Sequence, residues 1–189
     1  NLRGDGDYET FPLTEGSGEY KVFVFENVRG NQYAQLFAKS FKAEMPDEKA
    51  AFLYPNQYTW YSPESEAVKK SRELCEGLTS DLDKLNAIFS FVADNVSYDY
   101  VKAKSVRSGY LPDVDKTLDD GKGICFDVAA LMACMLRTQG IPTRVAIGYL
   151  TKENAYHAWN EVYMDGAWTW RDASEIGRTR TEGDYRVEQ

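Results

Sequence analysis

The sequence holds a single histidine, His157, in 189 residues. A metal site built from several histidines is therefore excluded. Three cysteines, Cys75, Cys125 and Cys134, are too few and of the wrong parity for a disulfide framework, and no C-x-x-C pair is present to hold zinc. The longest apolar run, Val128–Leu136, is nine residues. A helical membrane span takes about 20, so none is expected. There is no G-x-S-x-G elbow, no GxxxxGK[ST] phosphate loop and no complete GxGxxG. A basic-then-apolar leader is also missing, and no targeting segment is expected in the chain. Lys and Arg number 22 against 30 Asp and Glu, for a net charge of −8, and no basic stripe marks a nucleic-acid contact. Nothing in these residues calls for a metal or a cofactor.

What is present can fold. Hydrophobic residues make up 43 % and aromatics 14 %, enough for a real core in one domain with at most a small appendage. Residues 1–60 read as a β-rich N-terminal segment and residues 61–189 as the core domain. In the first, Glu19–Val28 alternates as a strand. Tyr33–Glu44 fits a strand or a helix, and the short Gly30-Asn31 turn favours a hairpin. Pro46, Pro55 and Pro63 punctuate a connector carrying Phe52, Tyr54, Tyr58, Trp60 and Tyr61, which is expected to lie against the core.

From Ser62 the period changes. Ser62-Pro63-Glu64 reads as the start of a helix running toward Gly77. Ser80-Asp81 starts another, with Leu82, Leu85, Ile88, Phe89 and Val92 on one face. Residues 98–122 read as a long polar loop. Its Asp113, Asp115, Asp119 and Asp120 lack EF-hand spacing and read as a solvated face rather than a calcium site. A buried helix follows, apolar nearly all round, and stops at Gly140-Ile141-Pro142. Strands at Thr143–Leu150, Tyr156–Met164 and Ala167–Asp172 come next. The tail after Ser174 is polar and weakly specified.

Cys125 enters the buried helix from Gly121-Lys-Gly-Ile, at the positive end of its dipole. A thiolate is favoured there, and the glycines allow backbone N–H groups to approach an oxyanion. By position alone it reads equally well as a small buried hydrophobe. Cys134, on the opposite helix face, and Cys75 read as structural. Asp165-Gly166 is a two-residue hairpin signal that pairs Met164 with Ala167, Val162 with Thr169 and Trp159 with Asp172. Asp172 is then the diagonal neighbour of His157, roughly 7–8 Å from it along the backbone. A slip of one residue would turn one of the two away. A helix-end thiol, a base and a carboxylate behind the base are the parts of a thiol acyl-transfer site. Tyr98, Tyr100 and Tyr110 are candidate phenol donors to an oxyanion, each equally readable as packing.

Several stretches together resemble the transglutaminase-like superfamily: Gly123-Ile-Cys125-Phe-Asp127-Val-Ala-Ala-Leu, Leu136-Arg-Thr-Gln-Gly140-Ile-Pro-Thr-Arg144-Val, His157-Ala-Trp159 and Trp170-Arg-Asp172-Ala-Ser. The resemblance covers residues 80–175. Tyr54-Pro55-Asn56-Gln57-Tyr58 and Ser97-Tyr98-Asp99-Tyr100 look like segments of secreted bacterial members. It implies a papain-like α+β fold, with Cys on a helix packed against an antiparallel sheet that bears His and Asp. By position Cys125 resembles the nucleophile, His157 the base and Asp172 the orienting carboxylate. Members often carry Asp-Pro-Thr at the last site, where this chain has Asp172-Ala-Ser174. The implied activity is acyl chemistry on peptide or carboxamide substrates through a thioester, ending in hydrolysis or transamidation. The implied partner is a protein or peptide, cell-wall associated in some members, met outside the cell. The competing expectation is a binding module that keeps the fold without the chemistry.

Overall fold

The structure, a computed structural model, describes residues 10–188; the first nine residues of the expected 1–60 segment and Gln189 lie outside it. The chain falls into two compact units, one of residues 13–51 and one that contains residues 52–188. The smaller is an antiparallel hairpin of β1 (Gly18–Arg29) and β2 (Gln32–Ala43). The turn between the strands contains Gly30 at φ +55°, a backbone shape that favours glycine. Tyr20 stacks on Phe41 across the strands at 5.8 Å. Val24 faces Phe37 while Phe25 faces Gln35, so Leu36 is the extra residue of a bulge.

The larger unit is organised around α5 (Cys125–Arg137). Every residue from Asp127 to Arg137 is buried, as an uninterrupted apolar helix requires. Packed against it are α1 (Glu66–Leu74), α2 (Asp81–Asn95) and two strands of a four-stranded antiparallel sheet. The sheet runs β7 (Ala167–Arg171), β6 (Tyr156–Met164), β5 (Thr143–Leu150), β8 (Tyr185–Val187). Val68, Leu85, Ile88, Val92, Leu131, Met135 and Val162 share the core. Polar side chains fix α5 to its neighbours. Asn160 donates to the carbonyls of Ala129 (2.9 Å) and Arg144 (3.2 Å), and Ser71 donates to that of Met135 (2.7 Å). At the helix end Gly140 takes φ +80°, and the Ile141 N–H returns to the Leu136 carbonyl at 3.1 Å, the Schellman closure that the Gly-Ile-Pro stop predicts.

Four sequence expectations are corrected. The first helix starts at Glu66, not at Pro63, because the hydroxyls of Ser62 and Ser65 close a turn ahead of it. The Ser65 hydroxyl accepts the Ser62 N–H and the Ser62 hydroxyl accepts that of Glu64. Leu82 lies in the first turn of α2 and is 53 % exposed, off the core face. The stretch 98–122 is not one loop. It holds α3 (Tyr100–Ser105) and α4 (Val114–Asp120), framed by the parallel two-residue strands β3 (Ser97–Tyr98) and β4 (Lys122–Gly123). Aspartates that resemble loop residues are N-caps here: Asp99 accepts the N–H groups of Val101 and Lys102, and Asp113 that of Lys116. Asp115 accepts the Ala67 N–H, and Asp120 pairs with Lys116 at 2.8 Å. Finally, the polar tail is tied down, since β8 adds to the edge of β5. Three residues are too few to show a period, so only tertiary pairing reveals that strand.

Candidate active site

Cys125 is the first residue of α5 and is partly exposed. The helix start is held by Asp127, whose Oδ2 accepts the Ile124 N–H at 2.8 Å. That cap closes only over a glycine, because a Cβ on Gly123 would lie 2.6 Å from Asp127 Cβ. Asp127 is fully buried and doubly engaged beyond the cap. It takes the Tyr110 O–H at 2.5 Å and the Lys102 ammonium at 2.7 Å. The cation offsets a carboxylate that would otherwise be buried unpaired.

The same bonds sort the three phenols. Tyr110 is occupied by Asp127; burial, and after it that bond, push its phenol up to about 12. Tyr100 is 58 % exposed and meets Tyr98 edge-on, ring centres 4.9 Å apart. Tyr98 is the one that reaches Cys125. Burial first, and then the charge of Cys125, push its phenol up to about 12.

His157 lies near the start of β6, its side chain 2 % exposed. Its Nε2 is 2.7 Å from Asp172 Oδ2, which leaves Nδ1 as the free ring nitrogen. His157 and Cys125 line the same cleft. Burial alone would lower the imidazole. The hydrogen bonds and charges of Asp172 and Cys125 outweigh it and hold His157 up, at about 9. The ring is therefore cationic at neutral pH.

Asp172 is the residue after β7 and is 4 % exposed. The hairpin register has Met164 opposite Ala167, Val162 opposite Thr169 and Asn160 opposite Arg171. Asp165 and Gly166 turn the chain at φ +51° and +87°. That register carries Asp172 to the face of His157. Both of its oxygens are engaged: Oδ1 accepts the Ser174 N–H at 2.9 Å, and Oδ2 accepts the Tyr185 O–H at 2.8 Å in addition to His157. The Tyr185 ring stands 5.0 Å from both Trp159 and Trp170 and 5.7 Å from His157.

Tyr185 and Gly177 are missed by a reading of the sequence. The available signal for Tyr185 is that it is the only aromatic residue after Asp172. A Cβ on Gly177 would stand 2.4 Å from Asp172 Cγ. Gly177→Ala is therefore expected to displace the carboxylate and to cost roughly 1–3 kcal/mol of stability by overpacking. Urea unfolding checks it against Gly183→Ala, whose added methyl meets nothing; equal midpoints for the two variants would refute the packing role.

Cys125 and His157 open onto a cleft of about 590 Å³, whose walls include Tyr58, Tyr110, Phe126 and Tyr156. Tyr58 and Phe126 meet edge-on with ring centres 5.7 Å apart. Among the described residues no group of histidine, cysteine or carboxylate side chains is arranged to hold a metal ion, and no helix is long and apolar enough to cross a membrane. Cys75 and Cys134 are buried in the core as packing residues.

Residues 68–173, which include Cys125, His157 and Asp172, match the model of the Transglutaminase-like superfamily. Human kyphoscoliosis peptidase is 25 % identical over 180 residues, covering 88 % of this chain. The chain spans about a quarter of that relative's length (25 %). The fold is similar to that of a candidate cysteine protease from Cytophaga hutchinsonii, with a TM-score of 0.60 at 19 % identity over 95 % of this chain and 73 % of the other. It is also similar to the periplasmic domain of TgpA from Pseudomonas aeruginosa, with a TM-score of 0.51 at 22 % identity over 66 % of this chain and 46 % of that one.

Proposed function

The chain belongs to the transglutaminase-like superfamily, and on that premise we propose that it is a cysteine-dependent enzyme of amide chemistry, with Cys125 as nucleophile, His157 as acid and base, and Asp172 as the carboxylate that orients His157. The single observation that carries this reading is the buried pair in which Asp172 grips Nε2 at 2.7 Å while the same ring lines one cleft with Cys125 at a helix N-terminus. A purely structural histidine in a sheet has no need of a thiol at a helix N-terminus on its other side.

The steps follow from these positions. The Cys125 thiolate attacks the carbonyl carbon of a peptide or carboxamide, forming a C–S bond. The electron pair moved to the carbonyl oxygen is met by N–H groups at the start of α5, with the Tyr98 phenol beside Cys125 as a further donor. As the C–N bond breaks, the His157 imidazolium gives its proton to the departing nitrogen. A thioester on Cys125 remains. Water then attacks it, His157 takes up the proton, and a carboxylate leaves; an amine in the place of water gives a new amide. We favour hydrolysis, which the peptidase activity in the name of the human relative supports. The resemblance to secreted members carries the further proposal that the protein meets its peptide substrate outside the cell.

The test is an acid quench during turnover of glutamine- and alanine-containing peptides, followed by mass measurement of the Cys125 peptide. An acyl adduct on Cys125, absent in Cys125→Ala, is the expected result. Peptide products formed at the same rate by Cys125→Ala would sink the assignment.

A further inference from the structure

Arg107 lines the same cleft as Cys125 and His157. It is exposed, and among the described residues nothing engages its guanidinium. Most other arginines of this unit are occupied, and Arg72, which is not, lies outside the cleft. Arg137 donates to the Thr143 carbonyl, Arg144 faces Glu161, Arg178 donates to the Ala93 carbonyl, and Arg180 pairs with Glu153. Arg107 is also in an unusual neighbourhood for an acidic chain. Between Tyr100 and Pro112 there are three basic residues and no acidic one. The flanking Asp99 and Asp113 turn inward as helix caps.

Carboxylates that meet cleft residues are each engaged as well: Asp172 by His157, Asp127 by Tyr110, Glu188 by Tyr156. Apart from Gln57 and Ser108, the rest of the wall is largely aromatic or aliphatic, with Tyr58, Phe126, Ile147 and Ala158. An unspent guanidinium at the edge of an apolar cleft is a recognition element for a carboxylate.

We propose that Arg107 selects the substrate: it receives a carboxylate of the acyl donor, an Asp or Glu side chain or a chain end, while the apolar wall seats a neighbouring side chain. This rests on Cys125 being the nucleophile. It adds the charge class of the peptide.

Two alkylating reagents test it without a known substrate. Iodoacetate and iodoacetamide both transfer a CH₂ group to the thiolate sulfur with loss of iodide, and they differ only in the carboxylate. The ratio of their rates at Cys125, read by mass spectrometry at low ionic strength, is expected to fall roughly two- to fivefold in Arg107→Gln. It should fall further in Arg107→Glu and hold in Arg107→Lys. A ratio that is the same in all four proteins overturns the proposal. Failure of the underlying reading looks different, because Cys125 would then react with neither reagent faster than Cys75.

Protection against iodoacetamide identifies the source of the carboxylate. Protection by an amidated, glutamate-containing peptide points to a side chain, and protection by an alanine peptide with a free C-terminus points to a chain end. Either must weaken in Arg107→Gln. Equal protection by the amidated alanine peptide counts against the role of Arg107.

Discussion

At pH 6.5 iodoacetamide is expected to modify Cys125 while Cys75 and Cys134 stay unmodified, and His157→Gln is expected to slow that modification about tenfold or more. The contrast between thiols follows from burial. Cys75 is 6 % exposed and Cys134 fully covered, and burial pushes both thiols up. Cys125 alone is partly open, at a helix start and against a cationic ring. The magnitude follows from the reactive species. Only the thiolate attacks iodoacetamide, and a cation beside a thiol favours that form. Removing the imidazole takes that advantage away.

His157→Gln leaves the Asp172 carboxylate buried without its cation, which can unfold the site. The double variant His157→Gln/Asp172→Asn removes both charges and should label as slowly as His157→Gln. If Cys125 labels no faster than the other two thiols, or keeps its speed in both variants, the thiolate–imidazolium pair does not exist. Fast labelling only in the wild type supports it.

The parts of this site that were legible in the sequence are those set by local rules. Asp165-Gly166 specifies a two-residue turn, the turn fixes the register, and the register alone brings Asp172 to the face of His157. The apolar helix with a glycine approach and a Gly-Ile-Pro stop has only one reading, and its first residue is Cys125. What was not legible depends on contacts across long separations. Tyr185 joins Asp172 because a three-residue strand adds to β5, and a strand that short carries no pattern. Tyr98, Tyr100 and Tyr110 are indistinguishable as sequence. Only packing assigns the first to Cys125, the second to solvent and the third to Asp127. The run of aspartates misled for a related reason: a side chain that caps a helix and one that decorates a loop are the same residue type.

Raising the pH from 6 to 9.5 is expected to remove about 3 kcal/mol of stability through His157 alone. The folded protein holds this imidazole at about 9, above the ordinary 6.5 of the unfolded chain. A raised value means that the folded state binds the proton more tightly, so protonated His157 stabilises the fold. That contribution is complete below pH 6.5 and disappears as the pH passes 9. Each unit of difference is worth about 1.4 kcal/mol, and the ring is buried, so solvent screening removes little of it. Against a total of roughly 5–15 kcal/mol for a domain, the loss is large.

Urea unfolding at a series of pH values gives the measurement. Other groups titrate in the same window, so the quantity to read is the wild-type profile minus that of His157→Gln/Asp172→Asn, and a flat difference between pH 6.5 and 9 would exclude the buried ion pair. Cys125→Ser then divides the effect. Asp172 still grips Nε2 in that variant, whereas the sulfur is gone. A drop of the wild-type size would mean that Asp172 alone retains the proton on His157. A smaller drop would measure the share that Cys125 contributes to holding that proton.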